Sequence, residues 1–354
     1  MTKIFVYEYL TGGGIDPVLA GSSSLADLSA LIVEGRVMRD ALVAELREID
    51  GVEVTFASSR FEKVDPALAH CRAAPGESMT AFVARVAREH DYAWIIAPEC
   101  DGLLLHLHDA VGTARWLGCA KEAIRMTSSK SASAALLTAH GIATTPALEP
   151  GRAQEAEEHA DPAARWVVKP DDGAGGLDTF VFDRFADACA EYDARAAAVR
   201  NPVLQAWVEG EPLSLSLICE PDHAELISIN RQQIGLRGRE GAGRQAQIVE
   251  FDGVTVDQID RRGEQGRLLG ALAQRVARAL PGLRGFVGID VVWHPQRGPV
   301  VIEVNPRITM AYAGLVATSA GTLTHALLAA HGVRVARPRT AARACGSQAC
   351  GARP

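Results

Sequence analysis

The chain has no run of about 18 apolar residues, the shortest that spans a bilayer as a helix, and its opening MTKIFVYEYL is too short and too polar for a secretory signal. A cytoplasmic protein without a membrane partner is expected. Paired cysteines are also missing. Cys71, Cys100, Cys119, Cys189, Cys219, Cys345 and Cys350 stand singly, with no C-x-x-C and no histidine at ligand spacing, which argues against a disulfide framework or a metal-thiolate site. No basic stretch dominates before the C-terminal tail, and the net charge is -7, so nucleic acid is not an expected partner. Neither a Walker loop nor a G-x-G-x-x-G fingerprint occurs, no internal repeat is evident, and no Ser-His-Asp or Cys-His spacing stands out. His106 and His108, alternating in LLLHLHDA, read as ordinary polar positions. A soluble chain of 354 residues is too long for one ordinary core, and small-molecule chemistry is the class left to it.

The front of the chain alternates. KIFVYEY reads as a strand ending in TGGG, a helical stretch with Leu31, Val37, Ala41, Leu42 and Leu46 follows, and VEVTFAS and AWIIAPECDG are further strands. Strand, glycine turn, helix, strand is the pattern of a parallel α/β layer. Polar groups at the carboxyl ends of such strands face the binding crevice, which makes Glu8, Gly12, Gly13, Gly14, Glu99 and Asp101 candidates for a substrate pocket. Acids there suit an ammonium group, although the glycine run reads nearly as well as a simple turn. Ser128 or Ser129 then caps a helix that Gly141 ends, and WVVKP and TFVF are strands before a helix over DRFADACAEYDARAAAV. From Pro202 onward strands dominate. A helix with Leu268, Leu269, Leu272, Val276 and Leu280 on one side leads into GFVGIDVVW and GPVVIEVNP, so the second half reads as α+β with mostly antiparallel sheets.

VVIEVNPRIT carries the strongest chemical signal. Glu303 and Asn305 are two apart on a strand and project from one face. Asp290 lies on the strand before, joined by the tight turn QRG, and opposite side chains of paired strands sit about 5 Å apart. Two carboxylates and an amide oxygen suit a hard cation such as magnesium, with manganese as the other choice; the bland reading is a solvated acidic face. A magnesium nucleotide would need donors for its phosphates. WVVKPDDGAGGLDTFVF offers Lys169 at a strand end and a loop with Gly173, Gly175 and Gly176, where backbone N-H groups can approach an anion closely. Gln205 and Val208 in VLQAWVEG lie where an adenine edge could be met, and Glu211 follows within range of a ribose.

In order, these pieces are Lys130 near a helix start, strand-Lys-Pro with a glycine loop, Q-x-x-V-x-G, an Asp strand and E-x-N-P-R. The order resembles the ATP-grasp superfamily over roughly residues 120 to 330. The resemblance implies an N-terminal Rossmann-like parallel α/β domain and two α+β lobes clasping ATP. It assigns Lys130 and Lys169 to the phosphates, the loop from Asp171 to Gly176 to covering them, Gln205 and Val208 to the adenine hinge, and Asp290, Glu303 and Asn305 to magnesium. Arg307 would face the transferred phosphate or the substrate. Arg231 is assigned with it to an anionic intermediate, the other reading being a surface ion pair. Pro212 stands where many relatives carry a ribose-binding acid, which leaves Glu211 as its substitute.

VYEYLTGGG, APECDGLLL and SINRQQI are similar to the predicted ATP-dependent carboligases that include the tyramine-glutamate ligase of methanofuran biosynthesis. This implies amide-bond formation through an acylphosphate, with an amino acid and an amine as substrates, joining glutamate to tyramine or tyrosine in a methanofuran-type cofactor pathway. Another amino-acid or peptide ligase on the same scaffold and a non-catalytic ATP-binding regulator are the rival readings. The expected units are 1–115, 116–204 with the glycine loop, 205–335 with the metal site, and a disordered tail over 336–354. A homodimer is compatible with the sequence, and so is ordering of REGAGRQ (239–245) on binding.

Overall fold

A computed structural model of the chain describes residues 1–15, 25–148, 164–173, 175–238, 246–319 and 322–336. The 239–245 segment and the tail from 337 onward lie outside the described residues, as does position 174 of the glycine loop. Among the described residues no helix is long and apolar enough to cross a membrane.

The front is a parallel sheet of five strands: β1 (Thr2–Glu8), β2 (Val52–Ala57), β3 (His70–Cys71), β4 (Tyr92–Ile96) and β5 (Trp116–Leu117), in the order β3-β2-β1-β4-β5. The central strand explains the uniform hydrophobicity of KIFVY. Ile4 and Val6 pack into one core and Phe5 and Tyr7 into another, because side chains alternate and helices cover both faces. Helix α1 (Leu25–Arg47) covers the first face, and α2 (Met79–Arg88) and α3 (Leu103–Val111) the second. The LLLHLHDA segment is therefore helical, and its histidines part company: His108 is buried with its ring centroid 4.9 Å from that of Trp116, while His106 lines a cleft.

After α4 (Lys121–Thr127) and α5 (Lys130–Ala139) come β6 (Trp166–Pro170), β7 (Phe180–Phe182), α6 (Phe185–Ala197) and β8 (Pro202–Ala206). They are followed by β9 (Glu211–Glu220), β10 (His223–Gly238), β11 (Ala246–Thr255), α7 (Glu264–Ala279), β12 (Gly285–His294) and β13 (Gly298–Asn305), and finally α8 (Met310–Ser319) and α9 (Thr322–Ala330). The strands form one antiparallel sheet of eight, β13-β12-β9-β10-β11-β7-β6-β8, joined between its two halves where β11 pairs with β7. A parallel front domain followed by antiparallel strands is the arrangement that the resemblance in the sequence implies.

On β9, Leu213, Leu215, Leu217 and Cys219 enter the core beneath α7, while Ser214 and Ser216 face the other way. Those two hydroxyls accept from the fully buried Asn230 Nδ2 of SINRQQI at 3.2 and 3.0 Å, so the polar side of the sheet is satisfied where it lacks water. One core expectation fails on α7. Leu269, Leu272 and Val276 are buried, but Leu268 is 51% exposed, since it sits one residue, about 100° of helix, from Leu269.

His331, just past α9, packs against Trp94 with ring centroids 6.4 Å apart, and its Nε2 has no hydrogen-bond partner. Burial, aided by the Arg284 charge, pushes its imidazole from 6.5 down to about 4. The folded state therefore resists protonation that the unfolded chain accepts. The contribution is complete above pH 6.5 and is lost as pH falls toward 4, with roughly 3 kcal/mol at stake. Thermal melts between pH 7 and pH 4.5 should show a steeper loss for the native chain than for His331→Phe; equal slopes would refute this.

Candidate functional site

A cleft of about 850 Å³ runs between the front domain and the antiparallel sheet. Its floor is the hairpin of β12 and β13, where Asp290 is directly opposite Glu303 and Gly288 is opposite Asn305. The Asp290 Oδ2 accepts from Asn305 Nδ2 at 3.1 Å, which leaves the Asn305 amide oxygen as a ligand atom. Asp290 Oδ1 accepts from Gln232 Nε2 at 3.0 Å. Burial, together with the Glu303 charge, pushes the Asp290 carboxyl far above the usual carboxylate range. Burial acts the same way on Glu303, yet the ammonium groups of Lys130 and Lys169 outweigh it and hold its carboxyl below that range. Two crowded carboxylates, one of them driven toward protonation, with an amide oxygen alongside, are an oxygen donor set that a hard divalent cation fits, the rest of its shell coming from phosphate and water. Among the described residues no group of three His, Cys, Asp or Glu side chains forms a metal cage of its own.

The cations stand beside this floor. Lys169 is the next-to-last residue of β6 and is buried, and burial plus the neighbouring Lys130 charge pushes its ammonium down to about 8. Lys130 opens α5, with Nζ 3.4 Å from Glu303 Oε2 and a hydrogen bond to the Gly173 carbonyl. Gly175 and Gly176 have φ of 66° and 71°, the left-handed region where glycine is favoured, and with Gly173 they line the cleft.

Asp171 does a different job from the one expected. Its carboxylate accepts from Ser129 Oγ at 2.6 Å and from the Ser131 N-H at 2.8 Å, and its carbonyl accepts from the Lys130 N-H at 2.9 Å. It caps the first turn of α5 from the end of β6 and does not line the cleft, so it fixes one lysine relative to the other. Asp171→Ala should cost about 1 kcal/mol of stability and raise the Kd for MgATP roughly tenfold by loosening Lys130, whereas Asp171→Asn should keep most of both. Equilibrium dialysis with denaturant melts checks this, and unchanged nucleotide affinity in the alanine variant would count against it.

At the far end, Gln205 and Val208 are buried and line the cleft. Gln205 Nε2 donates to the Thr145 carbonyl, and its Oε1 is buried without a partner, an acceptor available to a donor such as an amino group. Gly210 cannot carry a side chain, since a Cβ would lie 2.2 Å from the Trp293 carbonyl oxygen.

Several candidates sit elsewhere than expected. Arg231 and Glu211 form an ion pair at 2.6 Å and do not line the cleft; their neighbours Gln232 and Pro212 do. The Arg231 guanidinium is thus the surface ion-pair partner, and Glu211 is engaged with it outside the cleft lining. Glu99 is paired through both oxygens with Arg307, Nε to Oε1 at 2.9 Å and Nη2 to Oε2 at 3.0 Å, with side-chain exposures of 7% and 14%. Its charge is already balanced, so it is not a free acid for an ammonium group. Arg307 does line the cleft.

The glycines of TGGG make a turn. Gly12 and Gly14 donate to the Glu8 and Tyr9 carbonyls at 2.7 and 2.8 Å, Cβ atoms there would strike the Tyr7 and Tyr9 rings, and Gly13 has φ of 91°. None of the three lines the cleft. Glu8 reaches it, but its Oε2 accepts from the Thr11 N-H at 2.8 Å and Oγ1 at 2.6 Å, and its Oε1 from the Leu10 N-H at 3.1 Å. Asp101 lines the rim with φ of 53°, and its N-H donates to Asp172 Oδ2 at 2.7 Å, tying the glycine loop to the start of α3. Gln232, which the sequence motifs do not single out, is the residue of SINRQQI that meets the cleft, one position after Arg231.

Residues 127–311 match the ATP-grasp domain model, and 53–124 match the pre ATP-grasp 3 domain model. The chain belongs to the ATP-grasp family. No curated protein matches this ATP-grasp chain in sequence. Among solved structures, an ATP-grasp superfamily protein from Archaeoglobus fulgidus is 22% identical with a TM-score of 0.61, the match covering 95% of this chain and 89% of that one. The D-alanine–D-alanine ligase of Bacillus anthracis, solved in complex with ATP, is 16% identical with a TM-score of 0.59, covering 93% and 96%. The biotin carboxylase domain of 2-oxoglutarate carboxylase from Hydrogenobacter thermophilus, solved with magnesium ADP and bicarbonate, is 14% identical with a TM-score of 0.66, covering 94% and 70%. At these identities the likeness is one of fold.

Proposed function

We propose that this ATP-grasp protein is an ATP-dependent carboxylate-amine ligase. The observation that carries the reading is the convergence of Lys130, Lys169 and Arg307 on the Asp290–Glu303 pair inside one cleft, three cations around two carboxylates that face each other across a hairpin. Relatives of this fold have been solved with ATP and with magnesium ADP, which supports the same occupants here.

A carboxylate is a poor electrophile at neutral pH. In the proposed reaction a carboxylate oxygen bonds to the γ-phosphorus as the bond to ADP breaks, giving an acylphosphate. The amine nitrogen then bonds to the carbonyl carbon, the carbon-oxygen bond to phosphate breaks, and the amine proton leaves with the departing phosphate. Magnesium, when bound by Asp290, Glu303 and Asn305, neutralises charge on the phosphates. Lys169 and Lys130 hold the phosphoryl oxygens through the transfer. Arg307, aimed by Glu99, meets the oxyanion that develops at the carbonyl. The Gln205 and Val208 end takes the purine.

Glutamate with tyramine or tyrosine is the proposed substrate pair, on the strength of the front-half sequence motifs. ADP release with MgATP, glutamate and a panel of primary amines, with mass spectrometry of the product, tests this. ADP formed only when both partners are present, with a product mass equal to their sum less water, supports the ligase. Tight nucleotide binding without turnover for any acid and amine would replace it with a non-catalytic ATP-binding protein.

A further inference from the structure

The cleft is electrically divided. Its lysines and arginines come from the lobes behind, whereas the front-domain residues that line it bring three carboxylates, Glu8, Glu34 and Asp101, and no lysine or arginine among the described residues. Two of the three are accounted for. Glu8 is saturated by its own turn, and Asp101 sits exposed at the rim. Glu34 differs. It lies on α1, half-buried, with no ion-pair or hydrogen-bond partner in the described structure, and burial alone raises its carboxyl above the ordinary range. Leu31 and Met38, three residues before it and four after, share its helix face, and the front domain also lends Tyr9, Ile96 and Leu103 to the cleft lining.

A partly desolvated carboxylate with nothing to neutralise it is unfavourable for folding. Its neighbour Gly35 leaves no slack either, because the Glu8 carboxyl presses against α1 where a Cβ on Gly35 would lie 2.5 Å from Glu8 Cδ. An incoming ammonium would remove the penalty at Glu34, and the apolar side chains of the lining would take a hydrophobic body attached to it. A carboxylate on the same molecule would find three carboxylates and no lysine or arginine in the front-domain lining, so an amino acid fits this end poorly.

We infer that Glu34 is the specificity-determining residue for the acceptor, and that it receives the ammonium of an apolar primary amine carrying no carboxylate. The inference rests on the ligase reading only in naming that amine an acceptor. Binding itself needs no turnover, so the two can fail separately.

Isothermal titration of the full chain with phenethylamine, 2-phenylethanol and phenylalanine tests it. The native chain should bind phenethylamine at least about tenfold more tightly than either of the others, and Glu34→Gln should abolish the preference over the alcohol. Because Glu34 has no partner to lose, the glutamine variant should melt at or above the native midpoint, which separates lost recognition from lost folding. Equal affinity for phenethylamine in the two proteins overturns the inference, as does phenylalanine binding as tightly as phenethylamine. A glutamine variant that melts lower would give Glu34 a structural role and overturn it too. If the amine preference holds and no ADP is released with any acid, the binding site stands and the ligase reading falls.

Discussion

Glu303→Gln should reduce ADP release roughly a thousandfold while the protein stays folded. Glutamine keeps the shape of the side chain and removes the Glu303 charge from the β12–β13 hairpin. Two opposite electrostatic changes follow. Lys130 loses the carboxylate 3.4 Å from its Nζ, which destabilises the native state; Asp290 loses the like charge that, after burial, most raises its carboxyl, which stabilises it. The net change in stability should stay within about 1 kcal/mol, since each partner keeps its other contacts. Asp290 still accepts from Gln232 and Asn305. Loss of turnover therefore reports chemistry and not collapse. ADP release alongside urea melts measures both, and a variant that turns over within tenfold of the native rate would remove Glu303 from the phosphate site.

Much of this site could be read in the sequence because its strongest pieces are local. Glu303 and Asn305 share a strand face by two-residue spacing, and Asp290 joins them across a three-residue turn, so hairpin geometry alone predicts the trio. Lys130 follows its own cap, Ser129, and Lys169 is next to last in a strand that reads plainly as one. What escaped was decided by contacts distant in sequence. Asp171 looks like a loop residue until α5, 40 residues earlier, turns out to need its carboxylate. Glu99 looks like a free acid at a strand end until Arg307, 208 residues later, takes both its oxygens.

Parity caused the other errors. ISINRQQI and VEGEPLSL alternate clearly, but nothing local says which alternate face meets the cleft, and one step exchanges Arg231 for Gln232 or Glu211 for Pro212. A bulge between Leu226 and Ser228 on β10 further resets the register against β9. The continuity of the eight-stranded sheet was hidden for a related reason, since it depends on the β11–β7 pairing, which no hairpin signal announces.

Arg307→Ala should lose both turnover and stability, and the two losses can be separated. The Arg307–Glu99 pair joins the strand end of the front domain to the segment just after β13, bonded through two parallel contacts and nearly closed to water. Removing the guanidinium leaves Glu99 buried without a counter-charge, a change worth about 3 to 5 kcal/mol of destabilisation. Replacing both members with apolar residues of similar volume, as in Arg307→Met with Glu99→Leu, removes the stranded charge, so the double variant should recover most of that stability. It should not recover turnover, because the oxyanion at the carbonyl would still lack its donor. Glu99→Gln, which keeps Arg307 present but less firmly aimed, should lower kcat with little change in the KM for ATP. Denaturant melts and ADP release on the four proteins give the comparison. Recovered activity in the double variant would make the pair a brace between domains and nothing more, whereas recovered stability without activity gives Arg307 its place in the chemistry.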